Sequence, residues 1–370
     1  MADNNFGRKL RITSFGESHG ALVGIIIDGF PAGITIKTEF IQTELDKRKP
    51  GQSKITTSRK EADKVEILSG IFNERSTGAP ICMIIKNKDV DSSKYEKYKN
   101  ILRPSHVDFS SIKRYDGFAD YRGSGRFSGR ITAGFVMAGA LAKHALKKMN
   151  INIFAYTKAI GEISDERKYE EKSFENLRTQ RENSIVRCLD PEKSNEMVAL
   201  IEKVQEEEDS IGGIVKCIIK NFPAGIGGPV FYSLESTLSH GVFSIPAIKG
   251  IEFGVGFEAA TMKGSEHNDP WIIENERIQT SKNDAGGIIG GISTGMPIIF
   301  QIAVKPTASI GKTQHTVNIS DMKETQLKLE GRHDPCIVPR IIIVLEAITA
   351  IVLLDHILYQ GEFKLEGKNN

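Results

Sequence analysis

Two stretches of the chain repeat one pattern of apolar and polar positions. Residues 17–34 read ESHGALVGIIIDGFPAGI and residues 209–226 read DSIGGIVKCIIKNFPAGI, aligning without a gap at an offset of 192 in a chain of 370 residues. Ser18/Ser210, Gly20/Gly212, Val23/Val215, Ile26-Ile27/Ile218-Ile219 and the whole Phe-Pro-Ala-Gly-Ile tail match. In each copy a β-branched run predicts a strand, and Pro-Ala-Gly predicts the turn that ends it. A matched strand feeding the same turn points to internal duplication rather than coincidence. After the first turn, Phe40, Ile41 and Leu45 share one face and predict a helix capped by Thr38 and running through Lys47. Asp190-Pro191 opens another helix, with Asp as cap and Pro in the first turn, to about Glu208. Ser128 to Lys148 predicts a third, whose Ala133, Gly134, Ala138, Gly139, Ala140 and Ala142 suit close packing. The apolar run Ile341 to Leu354, interrupted by Glu346, is too short for a normal membrane span and predicts a buried helix. Ile299, Gln301 and Ala303 alternate along a strand that ends at Lys305. The charged stretches 86–100 and 163–181 predict surface excursions. No linker rich in Gly, Ser or Pro divides the chain. The expectation is one domain over 1–370, layered from a duplicated sheet-plus-helix unit with pseudo-twofold symmetry.

Composition narrows the chemistry more than the fold. The apolar fraction of 39% and charged fraction of 26% are those of a globular protein. A net charge of only +2 argues against a broad nucleic-acid or acidic-membrane surface, so any anion recognition must be local. Cys82, Cys188, Cys217 and Cys336 form no Cys-x-x-Cys pair. Neither a zinc site nor a disulfide framework is expected, and a reducing, cytoplasmic compartment fits. The polar stretch from Met1 to Arg11 lacks the apolar core of a signal peptide.

Three of the eight histidines stand among Gly, Pro and Arg instead of in an apolar stripe. They are His19 in Phe-Gly-Glu-Ser-His-Gly (15–20), His106 in Arg-Pro-Ser-His-Val-Asp (103–108) and His333 in Gly-Arg-His-Asp-Pro (331–335). Imidazole titrates near neutral pH and can carry a proton in or out of a reaction. Arginine beside it offers a planar fork for phosphate or carboxylate. His19 aligns with Ile211 in the second copy, which is what one active site on a repeated frame would look like. Arg103 and Asp108 flank His106 and suit an anion site. No His-x-His or His-x3-His spacing supports a three-histidine metal site.

The segment 120–130, Asp-Tyr-Arg-Gly-Ser-Gly-Arg-Phe-Ser-Gly-Arg, sets three arginines among three glycines just before a helix. Glycine lets backbone approach a ligand, and a helix N-terminus favours an anion; a solvated loop is the competing reading. The second Gly-rich segment, 283–295, is either a close approach to a flat ligand or a tight hairpin. Lys305-Pro306-Thr307-Ala308-Ser309 could hold a phosphate or form a polar turn. Lys47, Arg48 and Lys49 are accounted for by the last turn of a helix unless Arg48 points into a cleft.

Together these segments resemble the chorismate synthase family. Six motifs recur in order over almost the full length: 15–20, 103–108, Tyr-Arg-Gly-Ser-Gly-Arg at 121–126, Ala-Gly-Gly-Ile-Ile-Gly-Gly-Ile-Ser at 285–293, Lys-Pro-Thr-Ala-Ser at 305–309 and Gly-Arg-His-Asp-Pro-Cys at 331–336. The resemblance implies an α+β fold, a β-α-β sandwich with helices between two antiparallel sheets, usually a homotetramer. It implies a trans-1,4 elimination of phosphate from 5-enolpyruvylshikimate 3-phosphate to give chorismate, redox-neutral overall yet requiring reduced FMN. Such a cofactor carries the hard chemistry while the protein supplies orientation and proton control. By the same resemblance His106 would protonate the departing phosphate, His19 would protonate or stabilise the reduced flavin, and Asp334 would assist proton transfer there. Arg48, Arg130 and Arg340 would hold substrate anions. Arg126, Phe127, Ser128, Ala247, Gly290, Lys305, Pro306, Thr307, Ala308, Ser309 and Arg332 would contact FMN. NADPH as reductant would involve Arg48. The chain departs from the family pattern at Phe127, where a serine is common, at Ser105, where many relatives have Gly, and at Lys54, where arginine is frequent. A flavin oxidoreductase with net electron transfer and a non-catalytic binder of a phosphorylated metabolite are the alternative readings.

Overall fold

The computed structural model describes residues 3–49, 63–88, 92–329 and 333–363. Two five-stranded antiparallel sheets enclose a layer of helices, the α+β sandwich expected. The first sheet contains β1 (Asn5–Phe6), β2 (Arg11–Gly16), β3 (Leu22–Asp28), β4 (Val65–Ile67) and β5 (Ile81–Lys86), in the order β1-β2-β3-β5-β4. The second contains β6 (Asn152–Ile160), β7 (Ile163–Ser164), β8 (Gly213–Lys220), β9 (Ile248–Phe253) and β10 (Ile298–Val304), in the order β9-β10-β8-β6-β7. Between them lie α1 (Thr38–Arg48), α2 (Thr132–Lys147), α3 (Leu234–Phe243) and α4 (Val338–Gln360).

The repeated strands β3 and β8 are the middle strands of the two sheets. Each is flanked by the strand before it (β2, β6) and by a later strand (β5, β10), with β4 or β9 beyond. The duplication therefore extends well past the matched residues. The turns repeat bond for bond. Gly33 and Gly225 sit at φ 85° and 87°, and their N–H groups donate to the carbonyls of Ser76 and Ser293 at 2.7 and 2.9 Å. The Ser76 and Ser293 hydroxyls accept from Ile34 N and Ile226 N, each at 2.9 Å, and donate to Pro31 O at 2.6 Å and Pro223 O at 2.5 Å. The Gly-rich segment around Gly290 is the tight hairpin (Ile288–Ile289 with Ile292–Ser293), the counterpart of Ile71–Phe72 with Arg75–Ser76.

Local readings hold with corrections. Asp190 caps Pro191–Glu206 by accepting from Glu192 N at 2.9 Å. Thr38 lies inside α1 instead of capping it; the cap residue is Lys37. In the strand ending before Lys305, Ile299 is buried in a second apolar cluster, but Gln301 and Ala303 lie on the more exposed face. Ile298, Phe300, Ile302 and Val304 point inward, and a one-residue slip exchanges the faces of a strand. The stretch 163–181 is more than a surface excursion, because Tyr169, Phe174 and Leu177 pack with Phe154 and Tyr156 in a second apolar cluster. The helix α4 is longer than its apolar run suggested. It is the one helix among the described residues long and apolar enough to cross a membrane, but 94% of its apolar window is buried in the fold. It packs on α2 where Gly139 meets Ala347: a Cβ on Gly139 would lie 2.3 Å from the Ala347 Cβ. Its Glu346 is buried yet ionised. Burial pushes that carboxyl up, but Lys143 at 2.7 Å, Arg181 at 2.6 Å and Ala155 N at 3.0 Å outweigh it and hold it low.

Candidate active site

The candidate residues collect at one end of the sandwich, where β2 turns into β3 and where β10 ends. Equivalent parts of both halves supply it. Ser18 donates to Gly123 O at 2.7 Å, and its repeat Ser210 donates to Thr307 O at 2.8 Å. Thus each copy's turn holds down the long connection that precedes a central helix, 87–131 in one half and 305–337 in the other.

The segment Arg122–Phe127 carries the two histidines on adjacent residues. Gly123, Ser124 and Gly125 take φ values of 55°, 70° and 49°. A Cβ on Gly123 would lie 2.0 Å from His19 Cδ2, so glycine makes the room into which His19 fits. His19 Nδ1 lies 3.0 Å from Ser92 Oγ, and its ring meets Tyr95 edge-on at 5.0 Å. Ser124 Oγ lies 3.1 Å from His106 Nε2. His106 Nδ1 is 2.7 Å from Asp108 Oδ1, and Arg103 grips the same carboxylate through Nε at 2.9 Å and Nη2 at 2.7 Å. Burial raises the Asp108 carboxyl, but the bonds and charges of His106 and Arg103 overcome it and hold the group well below the usual carboxylate range.

Arg48 and Arg130 share one buried carboxylate. Arg48 donates to Asp63 Oδ2 at 3.0 Å, to Thr132 Oγ1 at 3.1 Å and to Gly129 O at 3.0 Å, and Arg130 pairs with Asp63 Oδ1. Arg48 is buried, and Asp63, Thr132 and Gly129 hold its guanidinium, so its side chain packs inward instead of lying in solvent at the end of α1. Arg130 also donates to Asn87 Oδ1 at 3.2 Å, and Asn87 in turn donates to Glu17 O and Gly20 O at 3.0 and 2.9 Å, linking the arginines to the His19 turn. Arg187, backed by burial that pushes its guanidinium down, donates to Lys47 O and Pro339 O, both at 2.7 Å. It ties the end of α1 to the start of α4, where Arg340 donates to Asp334 Oδ2 at 2.6 Å. The N-termini of both central helices therefore lie at this end, and their dipoles favour an anion. Arg340 Nε is buried with no hydrogen-bond partner among the described residues. Such an N–H is costly unless a ligand satisfies it.

The third group surrounds Lys305. Its N–H donates to Ala247 O at 2.9 Å, its ammonium to Ser105 O at 3.1 Å, and Thr307 Oγ1 donates to Asp334 O at 3.0 Å. Burial, with Lys249 nearby, pushes the Lys305 ammonium down. Ala247, Lys305, Thr307 and Asp334 are thus one neighbourhood, bordering the His106 turn. Arg126 belongs to the same end, but its guanidinium is taken up by Gly16 O at 2.9 Å, Asn4 Oδ1 at 2.9 Å and Ser14. Phe127 leans on Tyr115, and Ser128 Oγ accepts from Arg130 N at 3.2 Å to start the turn into α2.

Gly290 is not brought to this end within one chain. Its hairpin adjoins Gly227 and Gln360, beyond the C-terminus of α4, a helix about 34 Å long. Arg332, Lys54 and Gly331 lie outside the described residues. A cavity of about 680 Å³ between Arg8, Tyr232 and His240 holds none of the candidate residues. Sequence reasoning missed Asp63, Asn87 and Arg187. Of the histidines set aside as structural, His356 is buried and His144 partly so; burial pushes His356 down to about 4 and lowers His144. No cluster of His, Cys, Asp or Glu among the described residues could hold a metal ion.

The arrangement suits an enzyme that moves protons beside an anion, with histidine and carboxylate for the one and arginines for the other. Its relatives specify the kind. The family model for chorismate synthase matches residues 10–358. The chorismate synthase of Dehalococcoides mccartyi is 51% identical over 358 residues, 97% of each chain. That of Methanococcoides burtonii is 48% identical over 361 residues, 98% of this chain and 97% of the relative. A crystal structure of a chorismate synthase superimposes with a TM-score of 0.75 at 29% identity, covering 96% of this chain and 93% of the other. The chain belongs to the chorismate synthase family, whose members are carbon–oxygen lyases of aromatic amino acid biosynthesis.

Proposed function

We propose that the chain eliminates phosphate from 5-enolpyruvylshikimate 3-phosphate in a trans-1,4 sense, giving chorismate without net redox change. The observation that carries this reading is the anion site. Arg48 and Arg130 stand on Asp63, and Arg187 links the end of α1 to Pro339, next to Arg340, whose Nε has no partner among the described residues. A substrate with two carboxylates and a phosphate suits that set of forks.

His106 is the group suited to exchange a proton with the departing phosphate, because Asp108 orients its ring at 2.7 Å and Arg103 stands close enough to attract the anion. His19, held by Ser92 and Tyr95, faces the same loop from the other side and would manage the proton on the cofactor, with Asp334 assisting. Asp334 is oriented by Arg340. Reduced FMN, when bound, supplies the transient electron density that weakens the C3–O bond. Ala247 and Lys305–Ser309 fit its polar end, offering an ammonium and hydroxyls in one place. Arg126, Phe127 and Ser128 would contribute mainly backbone, since the Arg126 guanidinium is engaged by β2. Gly290 fits only as a contribution from a second copy. NADPH would act through Arg48, but the commitment of that guanidinium to Asp63, Thr132 and Gly129 favours a role in shaping the anion site.

A homotetramer in the cytoplasm completes the proposal. The hairpin Trp271–Glu274 with Arg277–Thr280 supports self-association: Trp271, Ile273 and Ile278 are exposed on it, a poor surface to leave in water. The decisive experiment is anaerobic phosphate release from 5-enolpyruvylshikimate 3-phosphate with FMN, with and without dithionite. Release only under reducing conditions supports the reading; no release when the flavin is reduced contradicts it. Steady NADPH consumption tied to product would favour the oxidoreductase alternative instead.

A further inference from the structure

We propose that Asp108, His106 and Ser124 form a carboxylate–base–nucleophile line in which Ser124 is an activated nucleophile, open to covalent modification by activated phosphoryl or acyl compounds. Asp108 Oδ1, His106 Nδ1, His106 Nε2 and Ser124 Oγ follow one another at 2.7 Å and 3.1 Å across the ring. That is the spacing by which a serine is made nucleophilic on unrelated folds.

The roles follow from the partners. Asp108 is held ionised by Arg103 and can only accept, so His106 Nδ1 carries the hydrogen. The Nε2 lone pair is then left for the Ser124 hydroxyl. Arg103 Nη2 lies 3.3 Å from the same Oγ and would stabilise negative charge developing on it. The backbone favours exposure of the group as well. Ser124 takes φ 70°, a left-handed conformation that a non-glycine residue adopts only at a cost, and its side chain is only partly buried. A strained serine flanked by glycines, with its hydroxyl turned to a carboxylate-bound imidazole, has more than a turn to explain it.

In the reaction, Ser124 Oγ attacks the phosphorus of a phosphoryl fluoride. The Oγ–P bond forms, the P–F bond breaks, fluoride leaves, and the hydroxyl proton passes to His106 Nε2. With a carboxylic ester the same attack gives an acyl-serine and an alcohol, and water then releases the acid. No oxidant, metal or cofactor is needed, and the inference does not rest on the lyase reading.

The test is incubation of the full chain, without flavin or substrate, with diisopropyl fluorophosphate, followed by intact mass and peptide mapping. The expected result is one adduct on Ser124. It is absent from S124G, a variant whose glycine accepts the positive φ and keeps the fold, and its formation slows by about 100-fold in H106A. No adduct on Ser124 in the folded wild type overturns the proposal, as does labelling that H106A leaves unchanged.

Discussion

At equivalent ends of the two sheets the first half presents Ser18 and His19, the second Ser210 and Ile211. The serines do the same work, each tying its turn to a backbone carbonyl of the following long connection. The neighbouring residues do not. His19 enters a space kept open by Gly123, whereas Ile211 packs toward Gly161 and binds Pro335 O through its N–H at 2.8 Å. A duplicated frame brings two similar ends together, and the asymmetry between them makes one site. The connections diverge likewise: one carries His106 and the Gly-Ser-Gly loop, the other Lys305, Thr307 and Asp334.

The largest effect that would sharpen this contrast is at His106, which the second half lacks. H106A should lower phosphate release by at least about 100-fold, measured with reduced flavin; a near-wild-type rate removes its role as proton donor. Next comes Asp63, which anchors two arginines of the site. D63N leaves two guanidinium groups without their shared countercharge and should cost about 3–5 kcal/mol in urea unfolding, along with a raised KM. An unchanged midpoint would mean that Arg48 and Arg130 find other partners. Smaller, and equal in the two halves, are the serine clamps. S76A and S293A each strand a buried N–H and should each cost about 1–3 kcal/mol; a marked difference between them would break the structural equivalence of the halves. The smallest effect is on acid stability. Asp108 has its carboxyl depressed on folding, so its contribution is full above the unfolded value near pH 4 and is lost as the pH falls toward the folded one. Thermal melting from about pH 5 to about pH 2 should show the wild type losing its advantage over D108N. A constant gap would contradict the ionised Asp108.

Much of the frame could be read from residues 17–34 and 209–226, because strand and turn kept both spacing and chemistry. A second repeat was equally present and harder to see. Gly70 to Ile81 matches Gly287 to Ile298 at Gly, Ile, Ser-Thr-Gly, Pro and Ile, but at an offset of 217 instead of 192. Its turn is Asn73-Glu74 in one copy and Gly290-Gly291 in the other, all at positive φ. Glycines that suggested a ligand thus also serve a two-residue hairpin. The histidine segments were legible because Gly, Pro and Arg mark them off from core patterns. Asp63 and Arg187 were not, since nothing local distinguishes them. Their meaning comes from partners distant in sequence, Arg130 for the one and Pro339 for the other.

The claim that one end of a repeated frame became the active site is tested most directly by exchanging the distinguishing residue for its counterpart. Phosphate release from 5-enolpyruvylshikimate 3-phosphate with reduced FMN should fall by about 100-fold or more in H19I, with the thermal midpoint nearly unchanged, while I211A retains activity within a few-fold. Full activity in H19I, or an equal loss in I211A, would contradict it.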